Sequence, residues 1–155
     1  MDTETPSPKA SKGLEIPWIH ADSSHNAFSR FLTYDREHTE GRHLDHYVRE
    51  MGKQGLAPSY MDSSSIGGLS GERNPLVLVE LSDGGLEGTV NVVQQLKKTR
   101  DYARRPVVVT GTMPINGEMD AIINAGAFGY LDRSLWSPQE FAQLVGRYTP
   151  RENRN

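Results

Sequence analysis

Residues 75–85 read PLVLVELSDGG. Leu76–Leu81 form an apolar run broken by one acid, Glu80, and Asp83-Gly84-Gly85 closes it with turn residues. A short unbroken run of Val and Leu suits a parallel strand covered on both faces. An acid at the end of such a strand is costly to bury unless it has a partner or a task. Downstream the pattern repeats. Val90, Val93 and Leu96 mark a helix through 86–99, and PVVVT (106–110) is a second buried strand. Met119, Ile122 and Ile123 mark a helix ended by Gly126, and Ala127–Leu131 is a third strand. In SPQE (137–140) Ser137 caps a helix, Pro138 suits its first turn and Glu140 closes a capping box, with Phe141, Leu144 and Val145 facing inward.

Upstream, EIPWIHAD (15–22) reads as a strand. Phe28, Phe31 and Leu32 fall at helical spacing after the capping candidates Ser23 and Ser24. Leu44, Tyr47, Val48 and Met51 form an amphipathic stripe that Gly55 ends. REHTEGR (36–42) is either a break or the wet middle of a long helix. APSYMD (57–62) is a weak strand, and 63–74 is too rich in Gly and Ser for a firm helix. The order β-α-β-(α)-β-α-β-α-β-α gives, with right-handed crossovers, an α/β fold: a doubly wound five-stranded parallel sheet with helices on both faces. Its ligand end is the carboxyl end of the strands. Asp22, Glu80, Thr110 and Arg133 all fall at strand ends of that kind.

The 155 residues fit one domain. Residues 1–13 are expected to be a disordered N-terminal tail, 14–148 the folded domain and 149–155 a polar C-terminal tail. With 35% hydrophobic residues and a net charge of −3, the chain offers no electrostatic reason to bind nucleic acid or an anionic membrane. Zero cysteines exclude disulfides and thiolate chemistry. The polar start is unlike a secretory signal, and no apolar run reaches membrane-spanning length, so a cytoplasmic location is expected.

LVLVELSDGGLEG, PVVVTG, NAGAFGYLDRS and SPQEFAQLV together resemble the receiver domain of bacterial two-component response regulators. The resemblance covers about residues 14–148 and is strongest from 75 onward. It implies a flavodoxin-like (βα)5 domain with strand order 2-1-3-4-5. It further implies a phosphoacceptor aspartate ending the third strand, an acid pair after the first that helps hold Mg²⁺, a switch Ser or Thr, a switch aromatic and a lysine. Here the acceptor position holds Glu80, the acid pair reads Ala21-Asp22, Thr110 and Tyr130 match the switch residues, and Arg133 takes the lysine's place. Ser134 stands where proline usually follows, and the segment around 35–45 is longer than usual.

These departures point to a degenerate pseudo-receiver that signals by protein–protein interaction, without enzyme activity or phosphorylation at Glu80. Losing one acid weakens a Mg²⁺ site, so no cofactor is expected and Mg²⁺ is the one candidate. Arginine, unlike lysine, can grip a carboxylate with two prongs. Glu80 and Arg133 are therefore expected to form a standing ion pair that holds one, active-like conformation without phosphate. Partners would be other signalling proteins: a kinase, an output protein or a regulator. Phe128 and Trp136, if exposed, would mark a contact face on the last helix and strand, open also to a homodimer.

Each reading has a plainer rival. Glu80 could be a partly solvated leftover acid. Thr110 and Tyr130 could serve only packing and strand-end hydrogen bonding. Asp83 could be a displaced acceptor beside Asp22 in a residual acidic pocket, and Gly84 and Gly85 could simply turn. His38, His43 and His46 with Glu37, Glu40 and Asp45 could suggest zinc, but no second ligand motif supports it. Arg100, Arg104 and Arg105 read as a solvated helix end. The competing functions are a working Mg²⁺-dependent phospho-receiver and a flavodoxin-like protein binding a phosphorylated small ligand.

Overall fold

The computed structural model describes residues 13–20, 44–81, 85–111 and 118–149. Strand β1 spans Leu14–His20, helix α1 Leu44–Lys53 and strand β2 Leu56–Asp62. A short 3₁₀ helix, Ser63–Gly68, leads to β3, Val77–Glu80. Then follow α2 (Gly85–Lys98), β4 (Val107–Gly111), α3 (Glu118–Ala125), β5 (Gly129–Asp132) and α4 (Pro138–Arg147). The five strands form one sheet in the order β2-β1-β3-β4-β5, and every pairing is parallel. This is the expected doubly wound sheet.

Local chemistry explains most boundaries. Gly55 holds φ +79° just after α1, a conformation glycine adopts without the penalty of a Cβ. Ser137 accepts from the Glu140 backbone N–H at 3.1 Å while the Glu140 carboxylate accepts from the Ser137 N–H at 3.1 Å, the capping box expected for α4. The 63–68 stretch forms only a 3₁₀ turn, capped by Asp62, which accepts from the Ser64 N–H at 2.9 Å.

Some expectations are corrected. The weak strand at 57–62 is a full seven-residue partner of β1, paired from Leu14↔Leu56 to His20↔Asp62. Pro58 is tolerated because β2 is an edge strand. Pro17 lies in a central strand, but pairing with β3 runs over Trp18–His20, beyond it. The last strand begins at Gly129 rather than Ala127. In α3 Ile122 and Ala125 are buried, whereas Met119 and Ile123, which marked the helix in the sequence, are exposed. Thr149, placed in the tail by composition, is buried and donates its hydroxyl to the Gly146 carbonyl at 2.8 Å. Ala21, Asp22, the helix expected around Phe28–Leu32, REHTEGR, Asp83 and Gly84 lie outside the described residues.

Alternation along the strands builds two cores. Leu76 and Leu78 face one way with Ile16, Trp18 and Val108, under α1 and α4. Val77 and Val79 face the other with Ile19, Val107 and Val109, under α2 and α3. Among the described residues no helix is long and apolar enough to cross a membrane.

Candidate functional site: a buried carboxylate–guanidinium pair

Strand register brings the carboxyl ends into one row. His20 pairs with Asp62 on one side and Glu80 on the other, Glu80 pairs with Thr110, and Thr110 pairs with Leu131. Arg133 extends this row beyond β5, its backbone N–H bonded to the Gly111 carbonyl at 2.7 Å.

Glu80 shares parity with Leu76 and Leu78, so its side chain belongs to the α1/α4 face. There it meets Arg133. Nη1 donates to Glu80 Oε1 and Nη2 to Oε2, each at 2.8 Å. Both side chains are only 1% exposed, which removes the partly solvated reading of Glu80. The Trp18 Nε1–H donates to the same Oε1 at 2.9 Å. Arg133 Nη1 also donates to Thr110 Oγ1 at 3.0 Å, and that hydroxyl donates onward to the Leu131 carbonyl at 2.7 Å.

Aromatic rings enclose the cation. The Arg133 Cζ lies 5.4 Å from the Trp18 ring centre and 5.8 Å from that of Tyr47. Such contacts favour a desolvated guanidinium. Phe141 of α4 stacks on Trp18 at 5.9 Å and meets Tyr47 edge-on at 5.2 Å. The Tyr47 hydroxyl lies 2.8 Å from the Arg133 carbonyl and 3.3 Å from that of Trp136, tying α1 to the segment after β5. Asp132 shapes that segment: its Oδ1 accepts from the Ser134 N–H at 2.8 Å and from its hydroxyl at 2.6 Å. A proline in place of Ser134 would have no N–H for this turn.

Of the residues singled out in the sequence, the structure gathers Glu80, Thr110 and Arg133 into one network. Tyr130 stands apart. It packs half-buried against the α2/α3 core, its hydroxyl 2.8 Å from where a Cβ on Gly111 would sit. Asp22 and Asp83, the residual acidic pocket, lie outside the described residues, as do His38, His43, Glu37 and Glu40 of the zinc reading. Among the described residues no cluster of three metal-ligating side chains occurs. Leu135 is 74% exposed, Phe128 61% and Trp136 37%.

Sequence reasoning missed Trp18 and Tyr47. Trp18 had one readable cue: an indole in a buried strand needs an acceptor for its N–H. Tyr47 had none, because it looks like any other residue of an apolar stripe.

Chemically, the arrangement holds a charge pair in place and presents no free carboxylate oxygen. Each Glu80 oxygen already accepts a charge-assisted hydrogen bond.

No protein-family model matches the chain, and no curated protein matches it. Its fold matches solved response-regulator structures. A response regulator from Thermotoga maritima superposes with a TM-score of 0.60 at 12% identity, covering 88% of this chain and 97% of its own. The chemotaxis protein CheY4 of Vibrio cholerae gives 0.59 at 11% identity, covering 88% and 99%. HP1043, an orphan response regulator of H. pylori, gives 0.57 at 13%, covering 88% and 97%. The shared feature at this identity is the receiver fold.

Proposed function

We propose that this chain is a receiver-like signalling module that acts through protein–protein contact and is not phosphorylated at Glu80. One observation carries the reading: the carboxylate at the end of β3 is buried and gripped at both oxygens by Arg133. Phosphoryl transfer needs an accessible nucleophilic oxygen aligned with the incoming phosphorus and a metal to neutralise charge. Here the nucleophile's oxygens are occupied, and an internal guanidinium supplies the neutralising charge.

The pair does for the fold what a phosphoryl group would otherwise do. It links the end of β3 to Thr110 and to the segment after β5, and Tyr47 fastens that segment to α1. Leu135 and Trp136 follow directly and are exposed, so the fixed interior sets the posture of an apolar contact surface. The module has no catalytic role; a kinase, an output protein or another regulator is the class of partner. The same β5–α4 side, with Phe128, also suits a second copy, which sedimentation velocity across a concentration series would reveal.

The test is a titration of the folded protein with Mg²⁺ and beryllofluoride, a phosphoryl mimic, followed by amide NMR. The expected result is no saturable shift at Glu80, Thr110 or Arg133. A saturable shift there overturns the reading in favour of a phosphorylated receiver.

A further inference from the structure

At the opposite end of the sheet, where β4 and β5 begin, lies a cleft of about 630 Å³. Lys97, Arg104, Arg105 and Arg147 line it together with Phe128 and Tyr148, and none of its lining residues is acidic. In a chain of net charge −3 this is a local reversal of sign.

Two of the cations have an ordinary explanation. Lys97 and Arg147 sit in the last turns of α2 and α4, where positive charge complements the helix ends. That does not account for Arg104, which lies outside both helices, nor for the ring beside them. Phe128 is 61% exposed and meets Tyr148 edge-on at 5.1 Å, so the pair offers an uncovered apolar wall. The cleft is also shaped by the backbone. Gly126 holds φ +114°, and a Cβ there would come within 2.6 Å of the Lys97 side chain. Only glycine lets that side chain lie across the turn. The Lys97 ammonium is thereby fixed, donating to the Arg105 carbonyl at 2.8 Å, and burial lowers its pKa.

We propose that this cleft binds a nucleoside monophosphate, with the phosphate on Arg104 and Arg147 and the base against Phe128 and Tyr148. Guanidinium groups match phosphate oxygens two at a time, and bases stack on aromatic side chains regardless of sequence. The volume falls within the usual range for small-ligand sites. The site is independent of the Glu80–Arg133 pair, which lies at the other end of the strands.

The test is a set of NMR titrations of the full chain with AMP, GMP, CMP and UMP, and with adenosine and inorganic pyrophosphate as partial probes. At least one monophosphate should give saturable shifts at Lys97, Arg104, Phe128, Arg147 and Tyr148, binding at least tenfold tighter than either partial probe. R104E and R147E, both at exposed positions, should each weaken binding tenfold or more. Phe128→Ala should weaken the nucleotide more than it weakens pyrophosphate. The proposal is overturned by no saturable binding of any monophosphate, or by pyrophosphate binding as tightly, which would mark a merely cationic surface. Shifts confined to the Glu80 end would also overturn it.

Discussion

Glu80 accepts three hydrogen bonds, one from Trp18 and two from Arg133, in a site with almost no access to water. Removing its charge strands a buried guanidinium, so Glu80→Gln should destabilise the fold by about 3–5 kcal/mol. Urea unfolding would show it as a lower midpoint at unchanged slope. The double replacement Glu80→Leu with Arg133→Met should recover most of that loss, because two apolar side chains need no desolvation. If Glu80→Gln kept full stability, the pair would not be holding the interior. The pair itself was legible in the sequence, since a glutamate and an arginine each stand at a strand end. Their aromatic enclosure was not, because Trp18 and Tyr47 lie 62 and 86 residues from the groups they contact.

Among the elements, α4 was the most readable, since its start is decided by four consecutive residues. Ser137→Ala should cost about 1 kcal/mol, measurable as a lower Tm. β2 was harder to read, because Pro58 and Ser59 interrupt its alternation and its pairing with distant β1 decides the outcome. In α3 the sequence offers Met119, Ile122 and Ile123 as large apolar side chains, and only packing against the sheet selects Ile122 among the three. The segment between α2 and β4 carries a titrating lock. The Tyr102 hydroxyl donates to the Asn74 carbonyl at 2.8 Å, and burial, helped by nearby Asp101, pushes its pKa from 10.0 up to about 12. The folded state thus holds this proton more tightly than the unfolded chain does. The stabilisation is complete below pH 10 and is lost as pH rises through 10 to 12. Tyr102→Phe should be about 1 kcal/mol less stable at neutral pH and should flatten this alkaline loss, as melts across that range would show.

Over the whole molecule the sheet separates two apolar layers, and they are held differently. The α2/α3 side relies on Val, Leu and Ile contacts. The α1/α4 side contains the charged network at its carboxyl end. Loosening that network should therefore act on one layer. In Glu80→Gln, amide hydrogen exchange should speed up more in α1 and at residues 133–136 than in α2. Equal acceleration in both layers would mean that the network stabilises the fold without organising the face that carries Leu135 and Trp136.

The enclosure of Arg133 has an optical consequence. The chain contains two tryptophans. Trp18 is fully buried with its N–H on a carboxylate and its ring beside a cation, whereas Trp136 is 37% exposed. Trp136→Phe would leave a single indole whose emission is sheltered from acrylamide and responds to the local field of the ion pair. The interior would then report its own electrostatic state by fluorescence, and a partner that reorders the segment after β5 would register as a colour shift from the core.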